Sequence, residues 1–533
     1  MVVSLSDFSL TRFSTFAFCI LWGLAATGCP TAPVGGDVPT DPADDGGEPV
    51  VDGGTTPGKD ANDLPDAGNP PASDGGTTPA PDAGGSPGDA GSPPVDGGGT
   101  MPVWLCPAAW QSDPQCDCGC GAPDPACGDE EPAECTFSFC GAPGLAFSAV
   151  DLGAHWLCPA LDSAFVDMVE DVNAASGAEK TNRLETFIAE RGPNFPYVEG
   201  VAVSWLWRGQ AQSVQLAGDI TGWQEPHVDL VRLQGTDAWY LTTSLPLGAR
   251  IDYKLIVDGQ WILDPSNPAE APSGFGPNSE LSMPGWSYPG EIDFDASIPH
   301  GSIEGVTVGP GANYPPQRFS STVLNNSRNV WIYRPPNYSD ENQYPILYVH
   351  DGGEYMALAK MPNVLDNLIA SGEIEPLVVA FVDPVNRGPE YVGNQVPSFV
   401  NLMVNELVPW VEAQVSVRGA ADRGVMGTSN GGYISARLGR DHPEVFQKIA
   451  SQSGALRADG NSLITSYANG VGIERIYVDT GNIADFIEAN RSFRSVLESS
   501  NTNHTYAEYP EGHSWGLWRA NLDELLRYLF PAP

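Results

Sequence analysis

The spacing of apolar side chains changes several times between residue 160 and the C-terminus. Apolar residues recur every three or four positions over 162–175 and 179–191, and this spacing predicts two amphipathic helices. Apolar and polar residues then alternate in segments separated by Gly, Pro and Asp. These segments predict β-strands at 201–209, 213–219, 238–245 and 250–259. Several short strands with such turns are typical of a β-sandwich, and we place the helical lead-in and the sandwich at 159–290.

A different pattern begins near Gly301, where short apolar runs alternate with helical segments. The runs predict strands at 329–335, 345–350, 377–383, 424–428 and 473–480. Helices are expected between them and after them, for example at 399–414 and 522–529. This alternation predicts an α/β domain over 300–533, with a mostly parallel sheet covered by helices on both faces.

The first 29 residues have the pattern of an export signal. The apolar run over 13–26 is near the length of a signal core and short for a membrane helix. Ala26-Thr27-Gly28-Cys29 resembles a bacterial lipobox, in which the Cys becomes the lipidated first residue of the mature protein. We therefore predict a lipoprotein-type signal over 1–29, lipidation at Cys29 and an extracytoplasmic protein, anchored by lipid at the bacterial cell envelope or outer surface. A plain secretory signal with an incidental Cys is the alternative.

The segment over 30–103 is predicted to be a disordered linker. It contains no aromatic residue, it is rich in Gly, Pro and Asp, and it repeats a DGG core at 51–57, 73–79 and 95–100. Such a composition buries too little apolar surface to offset the entropy lost on ordering the chain.

A Cys-rich segment follows over 104–158. It holds all the Cys residues that remain after the signal: Cys106, Cys116, Cys118, Cys120, Cys127, Cys135, Cys140 and Cys158. The count is even and the expected compartment is oxidising, so disulfides are the favoured interpretation. A bound metal is the alternative, although the C-x-C spacing over 116–120 differs from common zinc sites.

The chain is strongly acidic, with 25 Lys and Arg against 67 Asp and Glu and a formal net charge of −42. Lys59 is the only Lys or Arg among residues 30–159. Because phosphate binding requires clustered cations, this balance argues against a nucleic-acid partner.

One predicted strand leads into the sequence Gly-Thr-Ser-Asn-Gly-Gly over 427–432, and a helical pattern follows. A G-x-S-x-G sequence between a strand and a helix is typical of a nucleophile elbow. The helix N-terminus favours negative charge developing beside the Ser hydroxyl. The pattern therefore predicts Ser429 as a catalytic nucleophile.

A nucleophilic Ser needs a general base, and three His residues follow Ser429. His442 lies too close in sequence to fold back onto Ser429, and His504 lies in an alternating, strand-like run. His513 lies in a loop before the last predicted helix, where the base of this arrangement is expected. We predict His513 as the base.

The acid partner is expected in a loop after the strand at 473–480. Asp485 lies beyond the Gly that ends this strand, whereas Asp479 is still within the strand pattern. We predict Asp485 as the acid that orients His513, with Asp479 as the alternative.

Two backbone N–H groups are expected to stabilise the oxyanion. One belongs to Asn430, directly after the nucleophile, and the other belongs to the turn after the strand at 345–350. We predict Gly353 for the second donor, with Gly352 as the alternative, because Gly lets the backbone approach a substrate.

The segment over 201–284 resembles the early-set sandwich modules that precede catalytic domains. Its Trp-Arg-Gly at 207–209 and Gly-Thr-Asp-Ala-Trp at 235–239 are similar to the N-terminal domain of enterochelin esterases. Its Val-Asp-Gly at 257–259 and its Asp-Pro-Ser-Asn-Pro at 264–268 are similar to glycogen-binding-type modules. Three aromatic side chains of this segment could stack on sugar rings or pack in the core or between domains, and packing is favoured. They are Trp223, Trp239 and Trp261.

The segment over 300–533 resembles the esterase-D/enterochelin-esterase group of α/β-hydrolases. The resemblance rests on YPILYVHDGGEYM, FVDPVNRGPEY, GVMGTSNGG and EGHSWGLWRANLDELLRYLF. Carbohydrate acetyl and feruloyl esterases and mycolyltransferases have similar domains. Relatives often carry Gly-His-Asp-Trp where this chain has Ser514 after its His. Arg387 and Glu390 match an R-x-x-E stretch of the group, and a structural ion pair between them is favoured over a substrate role.

The resemblance implies a serine esterase that forms an acyl-enzyme and needs no metal or organic cofactor. Two substrate classes remain open: acyl or feruloyl esters on polysaccharides, and catecholate siderophore esters. The expected partners are therefore a small-molecule or polysaccharide ester and the membrane that holds the lipid anchor. An acyltransferase using the same residues and a non-catalytic, carbohydrate-binding surface lipoprotein are the alternatives.

Overall fold

The computed structural model of this chain describes residues 163–533, together with four short strands before them. These strands form two small pairs and are β1 (Asp117–Cys118), β2 (Phe137–Ser138), β3 (Val150–Asp151) and β4 (Trp156–Leu157). The predicted signal over 1–29 with Cys29, the linker over 30–103 and the side chains of the Cys-rich segment over 104–158 lie outside the described residues.

Two helices, α1 (Ala164–Ala174) and α2 (Glu179–Arg191), form the helical lead-in. Ser163 caps α1 by accepting a hydrogen bond from the Val166 N–H at 3.2 Å. The apolar faces of both helices pack together and onto one sheet of the following sandwich. That sheet is therefore covered on both of its faces.

The sandwich consists of two antiparallel sheets. Its strands are β5 (Tyr197–Glu199), β6 (Ala202–Arg208), β7 (Val214–Gly218), β8 (Val228–Asp229), β9 (Val231–Arg232), β10 (Ala238–Ser244), β11 (Arg250–Val257), β12 (Gln260–Ile262), β13 (Glu270–Ala271) and β14 (Asn278–Ser282). One sheet has the order β5-β6-β10-β9, and the other has the order β13-β14-β11-β7-β8 with β12 beside β11. Trp205, Leu216 and Tyr253 lie in the core between the sheets.

The C-terminal domain is built on one large sheet. Its strands are β15 (Ser302–Ile303), β16 (Val306–Thr307), β17 (Gln317–Ser321), β18 (Asn326–Arg334), β19 (Ile346–His350), β20 (Val378–Val382), β21 (Arg423–Thr428), β22 (Lys448–Gln452), β23 (Arg475–Gly481) and β24 (His504–Tyr509). Strands β19 to β24 run parallel to one another, in the spatial order β20-β19-β21-β22-β23-β24. Strand β18 pairs antiparallel with β20.

Helices cover both faces of this sheet, as the alternating pattern predicts. They are α3 (Gly352–Ala357), α4 (Met361–Ser371), α5 (Arg387–Tyr391), α6 (Val396–Leu402), α7 (Val408–Glu412), α8 (Asn430–Asp441), α9 (Ser462–Ser466), α10 (Ile487–Ser499), α11 (Trp515–Ala520) and α12 (Leu522–Leu529). Helices α3, α4, α11 and α12 contribute to the core on one face, and helices α5 to α10 contribute to the core on the other.

The helix predicted over 399–414 is present, with a π-helical turn inside it. This turn, Met403–Leu407, lies between α6 and α7, and the backbone keeps right-handed helical angles at both junctions. Pro409 lies in the first turn of α7 and has no N–H to donate to the residue four positions before it, which accounts for the change in hydrogen bonding. Within residues 163–533, none of the helices is both long and apolar enough to cross a lipid bilayer.

Candidate active site

Ser429 lies at the sharp turn between β21 and α8, at the carboxyl edge of the parallel strands. Its backbone has φ 59° and ψ −119°, a conformation that residues with a side chain rarely adopt. The neighbouring glycines permit this turn. A Cβ on Gly427 would lie 2.7 Å from the backbone of Gly431, and one on Gly432 would lie 2.6 Å from the Ser451 hydroxyl.

The backbone of Ser429 is tied to the end of β22 and to the loop that follows it. The Ser429 N–H donates to the Gln452 carbonyl at 2.9 Å, and the Ser429 carbonyl accepts from the Ala455 N–H at 2.9 Å. Between these two partners lies Ser453, whose hydroxyl donates to the Asp485 carboxylate at 2.5 Å. The turn that carries Ser429 is therefore connected directly to the loop that carries Asp485.

The structure brings Asp485 and His513 together. His513 Nδ1 lies 2.7 Å from Asp485 Oδ1. The other oxygen of this carboxylate accepts hydrogen bonds from the Gly481 N–H at 2.7 Å and the Thr480 hydroxyl at 3.1 Å. Burial alone would raise the pKa of Asp485, but the His513 ring and these hydrogen bonds outweigh burial and hold the pKa below its ordinary value. Asp485 is thus a buried, ionised carboxylate directed at the His ring.

Asp479, the alternative acid, has a different environment. It is fully buried at the end of β23 and accepts a hydrogen bond from the Gln452 side-chain amide at 3.0 Å. Burial raises the pKa of Asp479 to about 8. At neutral pH this carboxyl group is therefore mostly protonated, and its hydrogen-bonded partner is Gln452 rather than His513.

Two aromatic side chains flank the His513 ring. Phe486 and Trp518 each contact it edge-on, with ring centroids 4.9 Å away. The other two His residues after Ser429 have different partners. His442 Nδ1 lies 2.8 Å from the Glu444 carboxylate, and His504 Nδ1 lies 2.8 Å from the Thr502 carbonyl.

The two predicted oxyanion donors differ in their surroundings. Asn430 is the first residue of α8, where N–H groups have no acceptor within the helix. The Gly353 N–H, by contrast, donates to the Asp383 carboxylate at 2.9 Å. Gly352, the alternative, packs tightly on β20, since a Cβ there would lie 2.4 Å from the Val382 nitrogen. Asp383 is not among the predicted site residues, although it directly follows β20 at the edge that carries the site.

The expected ion pair between Arg387 and Glu390 is wrong. Arg387 instead binds Asp351 through two hydrogen bonds of 2.9 Å, and it also donates to the Thr428 carbonyl at 3.2 Å. Glu390 pairs with the buried Arg328 at 3.0 Å. Arg387 thereby connects the turn after β19 to the residue before Ser429, a role that could not be read from a four-residue motif.

A cleft of about 740 Å³ has Gly353 in its wall, whereas Ser429, Asp485 and His513 do not line it. The rest of the wall comes from the end of the sandwich, from the segment that follows it, and from β18, α3, α4 and α11. Five aromatic residues line the cleft: Trp286, Tyr288, Phe294, Tyr314 and Trp331.

The three Trp residues considered for sugar stacking occupy different environments. Trp239 lies in the sandwich core. Trp223 is half-buried and donates its indole N–H to Asp219 at 2.9 Å. Trp261 is 50% exposed, and its ring contacts His227 edge-on.

Two family models match the chain. Residues 321–529 match the family described as putative esterase, and residues 201–274 match the one described as the glycogen recognition site of AMP-activated protein kinase. The second match falls on the sandwich. The first covers the strands and helices that carry Ser429, Asp485 and His513.

Similar proteins include esterases. An uncharacterised protein of Bacillus subtilis is 25% identical over 227 residues, which cover 40% of this chain and 95% of that protein. An iron(III) enterobactin esterase of Dickeya dadantii is 23% identical over 390 residues, 62% of this chain and 87% of that protein. An endo-1,4-β-xylanase/feruloyl esterase of Xylanibacter ruminicola is 23% identical over 394 residues, 68% of this chain and 50% of that protein.

Among solved structures, the enterobactin esterase of Shigella flexneri is similar, with a TM-score of 0.51 and 22% identity over 62% of this chain and 92% of that one. This likeness concerns the fold, namely an α/β-hydrolase sheet preceded by a sheet-rich module. The family match covers the domain that carries Ser429, and two of these relatives are named as esterases. The protein is therefore a carboxylic ester hydrolase whose catalytic domain matches the putative esterase family over residues 321–529 and is similar to enterobactin and feruloyl esterases, with a sheet-rich sandwich module before it.

Proposed function

We propose that this protein is an exported serine esterase that forms an acyl-enzyme on Ser429. The observation that carries the proposal is the 2.7 Å contact between His513 Nδ1 and Asp485, on loops next to the strained turn of Ser429. A nucleophile, a base and an orienting carboxylate on these elements are the components of acyl transfer.

The reaction proceeds in two steps. The Ser429 hydroxyl attacks the ester carbonyl, and His513 Nε2 takes its proton and passes it to the departing alcohol. Water then attacks the acyl-enzyme with His513 again as base, and the acid is released. Ionised Asp485 holds the Nδ1 proton and stabilises the imidazolium. The Asn430 N–H and the α8 dipole stabilise the oxyanion.

The aromatic lining of the cleft favours esters that carry an aromatic group. Both substrate classes considered above fit this chemistry, since feruloyl and catecholate groups are aromatic and stack well on Tyr and Trp rings. The similarity to enterobactin and feruloyl esterases supports the same choice. We propose export and lipidation at Cys29 as well, an arrangement that suits polymeric substrates outside the cell. Loss of membrane fractionation in Cys29→Ala is the test of this part.

The Ser429→Ala variant tests the chemistry. We expect its turnover of p-nitrophenyl acetate to fall by at least ~10³-fold, because the attacking oxygen is removed. Ser435→Ala is a matched control. It lies in the same helix, and its hydroxyl bonds only to the Gly431 carbonyl at 2.7 Å. Turnover of Ser429→Ala close to that of this control would overturn the proposed nucleophile.

The Tyr288→Ala variant tests the aromatic preference, because Tyr288 lines the cleft and is 58% exposed. We expect its KM to rise for a feruloyl ester or a catecholate trilactone but not for an acetyl ester. Trp261→Ala, which removes an exposed ring outside the cleft lining, is the control. An equal effect of Tyr288→Ala on all three esters would contradict the proposed preference.

A further inference from the structure

The sandwich contacts both loops that carry the proposed acid and base. We call residues 481–486 the acid loop and residues 510–516 the base loop. In the acid loop, Ile483 packs against the sandwich core. In the base loop, the Pro510 carbonyl accepts from the Arg250 N–H at 3.2 Å, and the Glu511 carboxylate accepts from the Trp286 indole at 3.1 Å.

Arg250 is the central residue of this interface. It is the first residue of β11 and its side chain is fully buried. Within the sandwich module its guanidinium pairs with Asp252 at 2.6 Å and Glu280 at 2.5 Å. Towards the catalytic domain it donates to the Ser514 hydroxyl at 3.3 Å and lies 3.9 Å from the Glu511 carboxylate. The residues that Arg250 contacts in the base loop therefore lie on both sides of His513 in the sequence.

The base loop is packed against the sandwich without spare room. A Cβ on Gly516 would lie 1.6 Å from Arg250 Nη1, so the guanidinium rests directly on this glycine. A Cβ on Gly512 would lie 2.3 Å from the Asp219 Cβ. Asp219 is itself held by the Trp223 indole at 2.9 Å and the Asp252 N–H at 2.8 Å. The residues on either side of His513 thus rest on fixed groups of the sandwich.

Stability alone does not account for this arrangement. Taking an Arg and its carboxylates out of water carries a large desolvation cost, and an apolar contact of the same size often stabilises an interface as well. Burial also raises the pKa of Glu511 to about 7. This carboxyl group of the interface is therefore only partly ionised near neutral pH. The buried charges instead fix the orientation of the groups around them, because a planar guanidinium with several fixed partners restricts how its neighbours are oriented.

We propose that the sandwich is part of the catalytic machinery and that Arg250 is a positioning residue, which fixes the base loop so that His513 stays on Asp485. The inference rests on the proposed role of His513 as base. It assigns the sandwich a function that does not depend on sugar binding.

The first test compares Arg250→Gln with Arg208→Gln, a control in the same module whose ion pairs with Glu185 and Asp237 lie away from the base loop. For Arg250→Gln we expect kcat on p-nitrophenyl acetate to fall about 10- to 100-fold with KM nearly unchanged, because small displacements of a catalytic group have effects of this size. The Arg208→Gln variant is expected to keep its kcat. A lower melting temperature with unchanged kcat would overturn the inference.

The second test asks whether Arg250 acts through His513. In a His513→Ala background, adding Arg250→Gln is expected to leave the residual rate unchanged, because the group being positioned is already absent. A further fall as large as that in the wild-type background would show that Arg250 acts elsewhere and would overturn the inference. If His513→Ala itself retains full turnover, the proposed function fails instead, so the two failures are distinguishable.

A milder variant covers the case in which Arg250→Gln does not fold. Trp286→Phe keeps an aromatic ring at this position but removes the indole N–H that holds Glu511. We expect a smaller fall in kcat, together with a changed downfield proton resonance for the His513–Asp485 hydrogen bond. A folded Trp286→Phe with wild-type kcat and an unchanged resonance would also count against positioning by the sandwich.

Discussion

Two carboxyl groups near the end of β23 show how the environment of a single residue decides its chemistry. Asp485 accepts several hydrogen bonds and faces the His513 ring, so its pKa lies below the ordinary value. Asp479 is buried with fewer donors, and its pKa is raised to about 8. An ionised carboxylate stabilises an imidazolium and a protonated one does not, and the two residues are therefore not interchangeable.

We expect Asp485→Asn to lower kcat by about 10⁴-fold, since the amide presents the wrong partner to His513 Nδ1. Asp479→Asn is the matched control, and its kcat is expected to stay within a few-fold of the wild type. Steady-state kinetics on p-nitrophenyl acetate measure both. The reverse ranking would make Asp479 the functional acid.

Asp383 gives a second prediction at the scale of the residue. Its carboxyl group accepts the hydrogen bond from the Gly353 N–H, so this donor already has a partner within the protein. If Gly353 is the second donor, Asp383→Ala frees this N–H and raises kcat. Asp383→Asn, which removes the charge but keeps an acceptor, is expected to have a smaller effect. A fall in kcat in both variants would show that Asp383 supports the site instead of competing with the substrate.

At the scale of elements, the strand, turn and helix around Ser429 could be predicted because the signal is local. The glycines over 427–432 are required by contacts within a few residues and with β22. Strand β22 itself was not predicted, because its short sequence, KIASQ, carries little apolar pattern. The partners of Arg387 and Gly353 could not be predicted either. Asp351 and Asp383 lie about 30 or more residues away, and only the sheet order brings them near.

Gly432→Ala tests the packing of α8 on β22. A Cβ there would lie 2.6 Å from the Ser451 hydroxyl and 2.9 Å from the Gly454 backbone, so the helix must shift. We expect the free energy of unfolding to fall by about 1–3 kcal/mol, the usual cost of overpacking. Gly419→Ala, with φ −74° and no atom within 4 Å of the new Cβ, is the control and is expected to be neutral or slightly stabilising. Urea unfolding of both variants gives the comparison.

At the scale of the whole molecule, buried carboxyl groups make stability depend on pH, and three of them illustrate the effect. Burial raises the pKa of Asp219, raises that of Glu511 to about 7 and raises that of Asp479 to about 8. In the unfolded chain the same groups ionise at about 4. Between about pH 4 and pH 8 the folded state therefore binds more protons than the unfolded state, and the contribution of these groups to stability falls as the pH rises.

We expect the melting temperature to decrease between pH 5 and pH 8.5, as followed by circular dichroism. Asp479→Asn carries no ionisable group at this position, so its curve is expected to be flatter than that of the wild type. A melting temperature that rises across this range, or a slope that Asp479→Asn leaves unchanged, would contradict the account.

The close contact between Gly516 and Arg250 has a consequence for how such proteins diversify. Modules joined through free linkers can be exchanged by recombination, because each partner tolerates a new neighbour. Here a side chain at 516 would displace the Arg250 guanidinium, while another residue at 250 would leave Glu511 and Ser514 without their partner. The sandwich and the base loop are thus expected to be inherited together. A chimera that takes the sandwich from a relative would recover activity only when it also takes that relative's segment corresponding to 510–516.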